Sequence, residues 1–148
     1  MLLAAVVAVA GLGLWRLLTD GRFRGTHTVR GAGEKEEQTA PEAGSAPLAD
    51  VLPAETRLGE RATLLQFSSA FCAPCRATRR TLAEVADVVP GVAHVELDAE
   101  HHLELVRRLR ILRTPTTLVL DAAGREVSRA SGVPRKEQVL GALTLASP

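Results

Sequence analysis

Tyrosine is absent, and phenylalanine and tryptophan supply only 3% of the 148 residues, so a hydrophobic core must be built from Leu, Val and Ala rather than from rings. Charge of one sign is also lacking. The 18 Lys and Arg residues stand against 17 Asp and Glu, a formal net charge of +1, and no long basic block occurs. That balance excludes a phosphate-tracking surface, and no nucleic-acid-binding motif is present. Cysteine occurs twice, as Cys72 and Cys75, which is too few for a disulfide-stapled secreted scaffold and requires the two to be read as a pair.

What is present begins with an apolar head. Residues 1–15 carry no charged side chain, and with Leu17 and Leu18 the apolar stretch reaches about 18 residues, roughly 27 Å at helical rise. Trp15 and Arg16 lie where an interfacial ring and a snorkelling cation belong. Residues 1–18 are therefore expected to form a single-pass transmembrane anchor. The rival reading, a cleaved signal peptide, lacks a basic n-region and a small-x-small site. Arg16, Arg22, Arg24 and Arg30 follow the apolar run, which by the positive-inside rule favours a cytoplasmic location for the rest of the chain, with an extracytoplasmic one as the alternative. Residues 19–47, rich in Gly, Glu, Thr, Ala and Pro, read as a flexible linker. A short strand within 23–29 is the alternative there.

Residues 48–148 alternate regularly. The pattern predicts a strand over 62–67 and a helix over 73–88 whose inward face carries Ala77, Leu82, Val85, Ala86 and Val89. A strand over 92–97 and a helix over 101–109 follow, the helix burying Leu105, Val106 and Leu109. A strand over 116–120, a turn over 121–124 and a return strand over 125–130 make a hairpin. A helix over 134–145 closes the chain, turning Val139, Leu140 and Leu143 inward. The order β-α-β-α-β-β-α implies an α/β fold with a central mixed sheet flanked by helices.

Cys72-Ala73-Pro74-Cys75 falls where a strand ends and a helix begins. Cys72 is expected at the helix N-terminus and Pro74 in the first turn, where its missing N–H removes no helical hydrogen bond. The amide dipoles there favour a thiolate, so the Cys72 thiol should ionise below the free value of about 8.5 and act as nucleophile, with Cys75 as the resolving thiol. The motif alone also suits half of a zinc site, a copper-binding loop or a structural disulfide. Zinc would need further ligands, and His94 and the adjacent His101 and His102 are the available histidines.

A second motif, Arg113-Thr114-Pro115-Thr116, opens a predicted strand about 40 residues downstream. With Phe71-Cys72-Ala73-Pro74-Cys75, the strand end over 95–98, the turn over 121–124 and Gly132, the chain over about 58–146 resembles the thioredoxin family. The resemblance implies a thioredoxin-like fold and a thiol–disulfide oxidoreductase that uses the Cys72–Cys75 pair as its redox centre, with no other cofactor and no metal. It further implies that Pro115 is cis and faces the cysteines, and that Phe71, Ala73, Pro74, Thr114 and Pro115 meet the substrate. The partners implied are proteins carrying thiols or disulfides and an electron donor or acceptor protein.

Departures from the family pattern stand at three positions. Phe71 replaces the usual Trp before the first cysteine; Gln66 stands where the family carries a buried carboxylate, and His94 where it carries a lysine. Gln66 cannot take a proton, so His94 is the candidate substitute base. Segment 48–58 is the stand-in for the family's first helix. Pro74 between the cysteines resembles the reducing members, which points to a reductant. The competing class is a binding module that holds a client or a metal ion at the same face without turnover.

Overall fold

The computed structural model describes residues 9–15, 24–25 and 47–146. Of the expected anchor, 9–15 are described, as helix α1, and the rest of 1–18 lies outside the described residues. Among the described residues no helix is long and apolar enough to cross a membrane.

A mixed sheet is built from β1 (Arg24–Gly25), β2 (Ala62–Ser68), β3 (Val92–Asp98), β4 (Thr116–Asp121) and β5 (Glu126–Ser131), in the order β1-β5-β4-β2-β3. Strands β2 and β3 run parallel, while β4 is antiparallel to both β2 and β5. The β2–β3 connection is helix α2 (Ala73–Val88), and the β3–β4 connection contains α3 (Leu103–Arg108). Parallel neighbours need such a crossover, whereas β4 and β5 are joined by a tight turn. In that turn Asp121 Oδ1 accepts from the backbone N–H groups of Ala123 and Arg125, and Gly124 adopts a φ of 75°. Helix α4 (Lys136–Leu143) ends the described chain. Arg24 and Gly25 pair with β5, so these two residues of the segment expected as linker join the sheet edge.

Alternation along the central strands sorts their side chains into two cores. Leu65 and Phe67 of β2 join Leu118 and Leu120 of β4 under α3 and the segment around Leu48 and Leu52. On the opposite face Ala62, Leu64 and Val119 pack against Leu82 and Val85 of α2 and Val139, Ala142 and Leu143 of α4.

Three expectations are corrected. On α2 the buried face is Cys75, Thr78, Leu82 and Val85, and Ala77 is exposed, because the helix is phased by Cys75 turning inward. On α4 Leu140 is exposed, and Ala142, three residues after Val139 and so on the same helical face, is inside instead. Segment 48–58 forms only a three-residue 3₁₀ turn, Leu48–Asp50, fastened by the Leu48 N–H to Gly124 O at 2.9 Å. Pro53, which lacks an N–H, precludes its extension.

These assignments separate two leucines. Leu118→Ala, at a site with no solvent exposure, is expected to cost about 2–5 kcal/mol, whereas Leu140→Ala should change stability by only about 0.5 kcal/mol. Urea denaturation of both variants checks the difference.

Candidate active site

Strand β2 ends at Ser68, and the chain turns through Ser69, Ala70 and Phe71 into α2. Cys72 is the N-cap of that helix; its sulfur accepts from the Cys75 N–H at 3.2 Å, and Ala73 and Pro74 fill the first helical positions. A proline there removes no intrahelical bond. Cys72 and Cys75 form a disulfide with a Cα–Cα separation of 5.2 Å. Cys72 is half-buried and Cys75 is 2% exposed, so one sulfur sits at the surface and the other inside the first turn.

Phe71 precedes the pair with a φ of 59° and a fully exposed side chain. A non-glycine residue in the left-handed region costs about 1 kcal/mol or more, and an exposed ring recovers none of it by burial. No glycine marks the position, so nothing in the sequence announced the conformation. Thr114 meets the same loop from the other side, its Oγ1 2.9 Å from Ser69 Oγ. The Thr114–Pro115 peptide bond is cis, and Pro115 O accepts from the Gly132 N–H at 2.8 Å.

Behind Cys75 lies a row of polar side chains. The register sets Thr117 of β4, Gln66 of β2 and Glu96 of β3 side by side on the face that α2 covers. Gln66 has no solvent exposure. Its Nε2 donates to Ser68 Oγ at 2.7 Å and to Cys75 O at 3.0 Å, with Glu96 Oε1 3.3 Å away. With acceptors on that side, its Oε1 is the atom facing His94 Nε2, at 3.1 Å. The ring nitrogen therefore donates, and carries the proton. His94 is thus placed at Gln66 with its Nε2 occupied as a donor. Burial pushes its pKa below the usual 6.5, partly offset by the charge of Glu96 and reinforced by that of Arg79.

Glu96 and Arg79 complete the site, and neither belongs to the two sequence motifs that point to it. Glu96 Oε1 accepts from Ser68 Oγ at 2.6 Å and from Arg79 Nη2 at 2.9 Å, and Arg79 Nε pairs with the other carboxylate oxygen. Burial alone would raise the Glu96 pKa, but the hydrogen bonds from Arg79 and Ser68 and the charges of Arg79 and His94 outweigh it and hold the carboxyl below its ordinary range. The signal was available: alternation along β3 puts Glu96 on the face of His94, and Arg79 lies one helical turn beyond Cys75. A cleft of about 400 Å³ is lined by residues including Phe71, Cys72, Cys75, Arg76, Arg79 and Glu96. Among the described residues no group of three or more His, Cys, Asp or Glu side chains is placed to hold a metal ion.

A surface cysteine capping a helix, a buried partner one turn inside and a cis proline on an adjoining loop define a dithiol–disulfide site on a mixed sheet. A family model described as a thioredoxin-like domain matches residues 53–147, and the chain belongs to that family. It is similar to a thioredoxin of Alicyclobacillus acidocaldarius, at 32% identity over 82 residues, covering 55% of this chain and 77% of that protein. Thioredoxin H2-1 of rice is 31% identical over 74 residues, covering 50% of this chain and 53% of its own, so the match spans about half of that relative. A solved thioredoxin variant from Halobacterium salinarum superposes with a TM-score of 0.55 at 16% identity, covering 60% of this chain and 77% of that one, and shows the shared fold.

The His94 environment has a pH consequence. With its folded pKa below the unfolded value of about 6.5, the unfolded chain takes up a proton that the folded chain refuses, so stability is greatest above that pH and falls as pH drops toward the folded value. His94→Gln should reduce this loss, seen as a smaller change in urea midpoint between about pH 7.5 and 5.5 than in the unsubstituted protein.

Proposed function

We propose that the chain is a thiol–disulfide oxidoreductase that reduces disulfides in protein clients. The observation that carries the reading is the asymmetry of the pair: Cys72 is reachable at the helix N-terminus, and Cys75 is buried one turn inside. In the reduced protein the Cys72 thiolate attacks a client disulfide; a Cys72–client bond forms, and the client's other sulfur leaves as a thiolate. The Cys75 sulfur then attacks Cys72, the Cys72–client bond breaks, and the second client sulfur departs. The client gains two electrons and the pair becomes the disulfide. An electron-donor protein re-reduces it.

Phe71 supplies an exposed apolar surface beside Cys72, and Ala73 and Pro74 present no bulky or charged group at the same edge. The Thr114–Pro115 segment, tied to the cysteine loop through Ser69, lies where an extended client segment would run. Pro74, by resemblance to reducing members of the family, supports a reductant over an oxidant. In this reading the apolar residues 1–18 serve as a membrane tether, 19–47 as the spacer, apart from Arg24–Gly25 which pair with the sheet edge, and 48–148 as the catalytic domain. The arginines that follow the apolar run favour the cytoplasmic face.

Replacing the resolving thiol tests the reading. Cys75→Ser is expected to accumulate dithiothreitol-sensitive adducts between Cys72 and client proteins, seen on non-reducing gels of the membrane fraction, and Cys72→Ser to give none. Absence of adducts from Cys75→Ser would favour a non-turnover binding module.

A further inference from the structure

Resolution requires Cys75 to lose its proton before its sulfur can displace a client, and Cys75 is almost wholly buried. The side chain beneath it, Gln66, has no titratable proton. His94 turns a donating nitrogen to Gln66. Glu96 is different: it is a carboxylate, and the Gln66 amide ties it to the Cys75 backbone, with Gln66 Nε2 3.0 Å from the Cys75 carbonyl oxygen and 3.3 Å from Glu96 Oε1. It also lines the same cleft as Cys72 and Cys75, and that cleft has room and polar partners for water.

We propose that Glu96 is the proton acceptor for Cys75 in the resolving step, acting through a water in the shared cleft, a role that rests on the oxidoreductase reading. The Cys75 S–H bond breaks, its proton passes through the water to the Glu96 carboxylate, and the electron pair stays on sulfur. That sulfur bonds to Cys72 Sγ as the Cys72–client bond breaks, and the client leaves as a thiolate. Glu96 returns the proton to solvent through the open cleft.

The surroundings fit a carboxylate that is aimed and kept ionised. Ser68 and Gln66 of β2 donate to Oε1, fixing the plane of the group. Arg79 and Arg76 from α2 and His94 and Asp98 from β3 are the charged or titratable groups around it, with the cysteines themselves. Arg79 is the one in direct contact, and it sets how readily the carboxylate takes a proton.

The test follows two successive releases of coloured thiolate when the reduced full chain meets a stoichiometric amount of dithionitrobenzoate, an aromatic disulfide. The first release reports attack by Cys72 and the second reports ring closure by Cys75. Glu96→Gln, which keeps an acceptor for Ser68, is expected to slow the second release about 10- to 100-fold at neutral pH, with the first within about twofold. Glu96→Asp, which keeps a carboxylate, should recover most of the rate. Arg79→Gln removes the cation that holds Glu96 ionised, so the acid limb of the second-release pH profile should move up toward the ordinary glutamate value of about 4.3. An unaltered second release in Glu96→Gln would overturn the role. Equal slowing by Glu96→Gln and Arg79→Gln with an unmoved acid limb would overturn it too, leaving a structural ion pair. A wild-type chain showing the first release and never the second would instead overturn the oxidoreductase reading.

Discussion

The buried amide of Gln66 is the interaction on which the site's geometry depends. It stands at the end of the central strand β2 and reaches three elements at once: the first turn of α2 through Cys75 O, β3 through Glu96 and His94, and its own strand through Ser68. A buried polar group of this kind is favourable only when its donors and acceptor are matched, and leaving one unmatched costs about 1–3 kcal/mol. Each bond that satisfies the amide therefore also fixes a neighbour. The helix start cannot slide along the strand, and the Cys75 backbone is held against the sheet.

The same row explains why a fold with so few aromatic side chains carries its chemistry at one end of the sheet. Leu and Val fill both cores along the middle of β2 and β4, and on the α2 face of β2 the pattern turns polar toward the strand end, where Gln66 and Ser68 follow Ala62 and Leu64. The helix N-terminus lies directly after that end, so amide dipoles, a surface sulfur and a paired carboxylate converge within one cleft. On the other side the Ser69–Thr114 contact joins the cysteine loop to the cis-proline loop, so both walls of the surface are fixed to the sheet.

Much of the fold was legible because its periods are clean. Periodicity gives helix α2 at 73–88 and the strands β2 to β5 to within a residue, because β-branched and apolar runs are bounded by Gly91, Gly124 and Gly132, each at positive φ. Burial phase was less legible. Ala77 and Leu140 both read as inward on hydrophobicity, but a helix face is set by its docked residues, and Cys75 fixed that of α2. In the site, the cysteines announced themselves by spacing, and the cis proline only through family resemblance. Glu96 and Arg79 were missed because charged residues on an edge strand and an exposed helix face read as solvated; only the β2–β3 register brings Glu96 beside Gln66. The left-handed Phe71 had no sequence signal, since a bulky residue is the wrong one to expect there.

The most direct measurement of the central claim is the redox equilibrium of the Cys72–Cys75 pair in the full chain, titrated in dithiothreitol or glutathione buffers and read by thiol alkylation. A reversible two-electron transition near about −270 mV is expected for a reductant of this family. A midpoint of about −120 to −180 mV would contradict the reducing role, and a pair that forms no internal disulfide in any buffer would contradict the exchange chemistry altogether.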